Sequence, residues 1–359
     1  MENVPKNKIN NFLDEKFVKK FLITRVLSLY PEFRSIKKIN IRPIKKHIWK
    51  TTYHVVFNFE VSFLDKDNRI KKLPIYCSAH SDDPRKCVHE VLKFLWSNNF
   101  SQGYLTVPRP LFYSKYYNAV FYRGVKGHNL FYYIKKKDFT EVEKIVDKTA
   151  AWLAKLHAVK TENCDCNFNR KYNRIDSAIP GKKFVLQKLN HINPEFHDII
   201  NTVYEVISKR ERGFLNSTKK RWLIHGDAHP ENIIKIGEKK IAGIDFTDFC
   251  LSDFTRDLGS FLQQLDYMCA RKTGEFEYTE KLKNIFITSY FKFAKINLDD
   301  GVKDRIKTYY NWTAFRTGIF FLLKHDPNPK RTCELLETIC RDLEIKPDKA
   351  LEDKYLDRS

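Results

Sequence analysis

Three runs of β-branched and aromatic residues, 36–44, 51–64 and 70–79, follow one another closely, the last two parted by Asp65-Lys66-Asp67-Asn68. Such spacing predicts three consecutive antiparallel strands. A sheet of this kind needs a cover for its apolar side, so helices must flank it. The segment before it supplies one, with Phe12, Leu13, Phe17, Phe21, Leu22, Val26 and Leu29 at helical spacing and Pro31 as a stop, which predicts a helix over 9–29. After the third strand, Ser81-Asp82-Asp83-Pro84 carries helix-start chemistry, and Val88, Val91, Leu92 and Leu95 repeat on one face of a helix that bears Glu90. Two short strands, 111–114 and 119–122, lead to Arg123-Gly124-Val125-Lys126-Gly127, a hinge candidate.

Beyond residue 127 the apolar period is mainly helical. Val142, Ile145, Val146, Thr149, Trp152, Leu153 and Leu156 form one stripe, and 160–220 reads as an inserted loop plus a helix carrying Phe196, Ile199, Ile200, Val203 and Ile207. Short strands are expected at 222–224, 233–236 and 241–246, the last two joined at Gly237-Glu238. The reading is an α+β chain in two lobes: a helical extension (1–35), a small sheet lobe (36–124) and a larger helical lobe (125–359). A length of 359 residues with 42% hydrophobic side chains can fill such cores, which excludes a disordered chain. The net charge of +21 attracts anions but identifies no partner, and no nucleic-acid motif accompanies it, so no specific nucleic-acid partner is expected. No apolar run is long enough to span a bilayer, the N-terminus lacks an apolar signal core, and a cytoplasmic protein with reduced thiols is expected. The eight cysteines include no CxxC pair; Cys164-Asp165-Cys166 is the nearest approach to a metal cluster, without a second pair at usable spacing.

The chemistry is concentrated in His225-Gly226-Asp227-Ala228-His229-Pro230-Glu231-Asn232, with a second acid thirteen residues after Asn232 in Ile244-Asp245-Phe246. Phosphoryl transfer needs a carboxylate that orients the acceptor and oxygen ligands that hold magnesium against the phosphates. An Asp followed five positions later by an Asn, then the Asp of a following β-hairpin, supplies both. Singly, Asp227, Asn232 and Asp245 would read as turn or cap residues. Their joint spacing between apolar strands favours catalysis.

These segments resemble the aminoglycoside phosphotransferase and choline kinase-like enzymes, which share the protein-kinase-like fold. The likeness rests on residues 223–233, on Ile244-Asp245-Phe246-Thr247-Asp248 and on Asp257-Leu258-Gly259-Ser260, with weaker support from Val125-Lys126-Gly127-His128-Asn129-Leu130 and Ala151-Trp152-Leu153-Ala154-Lys155-Leu156-His157. It implies an ATP- and Mg2+-dependent kinase acting on a small-molecule hydroxyl. By resemblance Asp227 is the catalytic base, Asn232 and Asp245 are metal ligands, the main chain from Arg123 to Val125 receives the adenine, and His225 and Asp257 are a buried pair supporting the catalytic loop. The chain departs from the family in two places. No glycine precedes Gly103, so phosphate contacts from the loop between the first two strands fall to the amides, hydroxyls and charges of 45–52, Thr51 among them. The third strand, Pro74 to His80, lacks the lysine expected to touch the phosphates and pair with Glu90. Lys50, His80, Lys86 or another nearby cation is the candidate substitute; without one, the chain is a silent nucleotide-binding pseudokinase.

The acceptor is expected beside Asp227, with Asp248, Asp253, Tyr309, Trp312 and Arg316 as candidate contacts. A sugar, amino alcohol or aminoglycoside hydroxyl fits the resemblance, and the basic composition shifts the expectation toward neutral or anionic compounds. A protein substrate is the alternative acceptor.

Overall fold

A computed structural model describes residues 7–162, 168 and 173–356; Cys164-Asp165-Cys166 lies outside them. In chain order the strands are β1 (Phe33–Ile48), β2 (Tyr53–Asp65), β3 (Ile70–His80), β4 (Leu105–Thr106), β5 (Arg109–Ser114), β6 (Ala119–Arg123), β7 (His128–Asn129), β8 (Trp222–Ile224), β9 (Ile233–Lys235), β10 (Ile241–Gly243) and β11 (Cys250–Ser252). The helices are α1 (Glu15–Arg25), α2 (Lys86–Leu95), α3 (Leu130–Lys136), α4 (Phe139–His157), α5 (Lys182–Ile192), α6 (His197–Ser217), α7 (Thr255–Thr273), α8 (Phe276–Ala294), α9 (Asp300–Leu323), α10 (Pro329–Leu343) and α11 (Lys349–Tyr355). They fall into two compact units.

The first unit comprises the chain up to His128 together with Ile233–Thr247. Its main sheet has the order β1-β2-β3-β6-β5, antiparallel throughout. Alternation along β2 sends Val55, Phe57, Phe59, Val61 and Phe63 to one face, all fully buried. That face is covered by the N-terminal segment, where the Phe12 ring meets Phe57, Phe59 and Phe121 at 5.7 to 6.4 Å. The single helix expected over 9–29 is divided into a 3-10 turn (Lys8–Leu13), α1 and a second 3-10 turn (Leu27–Leu29). Asp14 makes the first break, its Oδ1 accepting from the N–H groups of Lys16 (2.8 Å) and Phe17 (3.2 Å) to start α1 afresh. A smaller sheet of order β4-β10-β9-β7 contains the hairpin that precedes Asp245.

The second unit is mainly helical, with α4 along α8 and α7 along α9. Gly259 lets the latter pair approach: a Cβ there would lie 2.6 Å from both the Ile306 carbonyl oxygen and the Tyr310 nitrogen of α9. Two helices, α5 and α6, occupy the stretch read as a loop plus one helix; Val185 and Leu189 of α5 join Val203 of α6 and Phe315 of α9 in one core. The short ladder β8–β11 pairs Ile224 with Cys250 and Leu223 with Leu251, fixing the start of the His225–Asn232 segment.

Candidate active site

In the second unit, β8 ends at Ile224 and the chain turns immediately. Gly226 makes the turn at φ +82°, where a side chain would run into the Asp248 carbonyl oxygen. Asp257, in the first turn of α7 and fully buried, accepts from the backbone N–H of His225 (2.6 Å) and of Gly226 (2.8 Å). Its side-chain partner is His157, whose Nε2 lies 3.1 Å from Asp257 Oδ2 and whose Nδ1 meets the Tyr290 hydroxyl at 2.8 Å. Burial pushes the Asp257 carboxyl up, but His157, His225 and the backbone donors outweigh it and hold the group below its ordinary value. The His225 ring packs edge-on against Trp152, and its main chain, not its imidazole, is what Asp257 holds at 2.6 Å. In the sequence His157 stands only as the last residue of the 151–157 segment, and its role comes from these partners.

Asp227 follows with a half-exposed side chain. Crowding by the surrounding protein raises its pKa; the His229 ring, 3.6 Å away, then His225 and Arg316 outweigh this and leave the carboxyl at about 2. Asn232 is buried, and its Nδ2 donates to the Asp227 carbonyl at 3.0 Å, which leaves Oδ1 as the acceptor atom of that amide. A cavity of about 330 Å³ opens beside Asp227, lined by Ser260, Gln264 and Met268 of α7 and by Trp312, Arg316 and Thr317 of α9, among others. Arg256 and Glu231 also line it. Trp312 is 2% exposed and packs on Tyr204 and Phe315, so it forms a wall and not an open stacking face. Arg316 donates to the Ile179 carbonyl at 3.4 Å.

Three other candidates from the sequence stand outside that lining. Tyr309 is fully buried and donates to Glu211 at 3.0 Å. Asp253 starts α7 through Thr255 and pairs with Arg305 at 2.8 Å. Asp248 contributes its main chain against Gly226.

In the first unit, Thr51 lies in the exposed four-residue turn between β1 and β2, closed by the Trp49 N–H on the Thr52 carbonyl at 2.9 Å. Arg123 ends β6 opposite Ile75, and the Gly124 N–H is already bonded to the Pro74 carbonyl at 2.9 Å, with Val125 following. Asp245 stands two residues after β10 at φ +60°, a backbone conformation that non-glycine residues seldom adopt and that concentrates at functional sites. The Thr247 hydroxyl donates to its Oδ1 at 2.7 Å. Glu90 has Lys86 as an ion-pair partner at 3.5 Å, one turn along α2.

A family model described as the phosphotransferase enzyme family matches residues 70–283. A comparison with curated proteins gave no match. Among solved structures, a choline kinase from Cryptosporidium parvum Iowa II superposes with a TM-score of 0.60 at 13% identity, covering 95% of this chain and 97% of that one. An ethanolamine kinase from Plasmodium vivax gives 0.51 at 15% identity over 84% and 81%. An aminoglycoside phosphotransferase in a ternary complex with ADP and hygromycin B gives 0.55 at 12% over 91% and 98%. At such identities the likeness is one of fold, and that fold is the protein-kinase-like α+β architecture of an antiparallel sheet with a larger helical region. With its match extending over more than half of its length, the chain belongs to the phosphotransferase enzyme family.

Proposed function

We propose that this protein is an ATP- and magnesium-dependent kinase that phosphorylates a hydroxyl of a small molecule. The observation that carries the reading is Asp227: an ionised carboxylate at the edge of a cavity, on a loop pinned from below by Asp257 and from the side by Asn232. Asp227 orients the acceptor hydroxyl and takes its proton as the phosphoryl group arrives, a role that needs position more than basicity because the transition state is loose.

The donor set suits the metal. Asn232 has a carbonyl oxygen left after Nδ2 is spent, and Asp245 has Oδ2 left after Thr247 occupies Oδ1. Both are hard oxygen donors of the kind Mg2+ prefers. Bound magnesium would supply charge neutralisation at the phosphates. The main chain beyond Gly124, with Val125, is the adenine contact in this reading, and Thr51 a contact from the β1–β2 turn.

The cavity favours a neutral or anionic alcohol, such as a sugar or a sugar phosphate. Ser260, Gln264, Thr313 and Thr317 offer hydrogen bonds, while Arg316 and Arg256 oppose a polycation. Among the described lining residues the carboxylates are Asp227 and Glu231. Incubating the protein with γ-labelled ATP, Mg2+ and a panel of sugars, sugar phosphates, amino alcohols and aminoglycosides tests this. Label transferred to an alcohol supports the reading; ATP binding with no labelled metabolite would redirect it to a protein acceptor or a silent protein.

A further inference from the structure

Phosphoryl transfer of this type calls for a side-chain cation on the triphosphate, and β3 holds none at its His80 end. Lys71 and Lys72 sit at the far end of that strand, opposite Phe63 and Ser62, and are exposed. Lys86 is committed to Glu90 at 3.5 Å. His80 accepts from the N–H groups of Asp82 and Asp83 through Nδ1, both at 3.1 Å, and its ring stands 4.6 Å from that of His54, its partner across the ladder. Burial first, and neighbouring positive charges second, push both imidazoles down, His54 to about 4, so neither is a cation at neutral pH.

Two permanent charges act on this pair, Lys45 on β1 and Arg85, the residue just before α2; of the two, Arg85 is the buried one. Its side chain is 7% exposed. Nη1 donates to Asp83 Oδ2 at 2.8 Å, Nη2 lies 3.5 Å from His54 Nε2, and the buried Nε has no hydrogen-bond partner. A guanidinium has five N–H donors, and burying it with an edge unsatisfied is unfavourable unless an anion completes the set. The counter-ion present is poorly placed to compete, since the Asp83 side chain is 53% exposed. His54, which Arg85 approaches, stands opposite His47 at the foot of the β1–β2 turn that carries Thr51, the phosphate contact of the kinase reading.

We propose that Arg85 is the phosphate-contacting cation of this chain, reaching the triphosphate from the start of α2 in place of a lysine on β3, with Asp83 as the internal carboxylate that nucleotide displaces. The inference rests on the kinase reading above. The chemistry matches, because a guanidinium fork pairs bidentately with phosphate oxygens and stays charged where histidines do not.

The test is calorimetric titration of the full chain with Mg-ATP, ADP and adenosine, alongside thermal melts. Arg85→Gln is expected to weaken ATP and ADP at least tenfold and leave adenosine within twofold. Lys72→Gln, at the other end of the strand, should change none of the three. Because Arg85 is buried, Asp83→Asn provides a second arm that does not remove it: freeing the guanidinium should tighten ATP and ADP severalfold and leave adenosine unchanged. Wild-type ATP affinity in a folded Arg85→Gln protein, or an Asp83→Asn protein that binds ATP no more tightly, would overturn the assignment of Arg85 alone. If the wild-type chain binds no nucleotide at all, the kinase reading fails and takes this proposal with it.

Discussion

At the scale of single residues, the chemistry depends most on Asp227. Asp227→Asn keeps the shape and removes the charge, so turnover should fall by about 10³-fold or more while ATP affinity, measured by calorimetry, stays within a few fold. The pH behaviour follows from the direction of the shift. The folded pKa of about 2 is depressed from the ordinary 3.8, so the stabilisation from this carboxylate is fully present above the ordinary value and is lost as pH falls through about 2. Rate profiles should accordingly show no acid limb from Asp227 above about pH 5. Asp257 shifts in the same direction and should behave likewise in acid unfolding. Asp257→Ala strands two buried N–H groups and the His157 ring; a loss of roughly 3 kcal/mol in denaturant unfolding is expected, together with lower turnover.

Secondary-structure elements carry the next set of consequences. The α7–α9 crossing depends on Gly259, where an added methyl meets backbone atoms that cannot swing away. Gly259→Ala should cost about 1–3 kcal/mol in urea unfolding and distort the cavity that the two helices line; unchanged stability would mean the helices separate more easily than their packing implies. Much of this level was legible in the sequence. The strands β2 and β3 and the helix α2 follow from apolar period, because each has one face buried against a partner. The apolar period of the N-terminal segment runs through Asp14 and so suggests one helix, but the local capping bonds of Asp14 win over the pattern. The candidate site was legible where it is written in contiguous segments, as in 225–232. His157 and Arg85 were not: the ring of His157 is given meaning by Asp257, one hundred residues away, and the guanidinium of Arg85, whose near partner Asp83 reads as an ordinary local pair, by His54 on β2.

For the whole molecule, family membership and the protein-kinase-like fold narrow the chemistry to phosphotransfer, and the chain's own residues must supply the rest. Its acceptor preference is expected to run against polycations: Arg316→Gln should raise KM for anionic alcohols about tenfold and leave neutral ones nearly unchanged, as read from initial rates. The central claim is that this chain moves the γ-phosphoryl group of ATP to a small alcohol through Asp227. The most direct measurement is transfer of γ-label to the metabolite panel with Mg2+, for the wild-type and Asp227→Asn proteins side by side. The account predicts magnesium-dependent labelling of an alcohol by the wild type and its near-complete loss in the variant. Equal labelling by the two, or nucleotide binding without transfer to any acceptor, would contradict it.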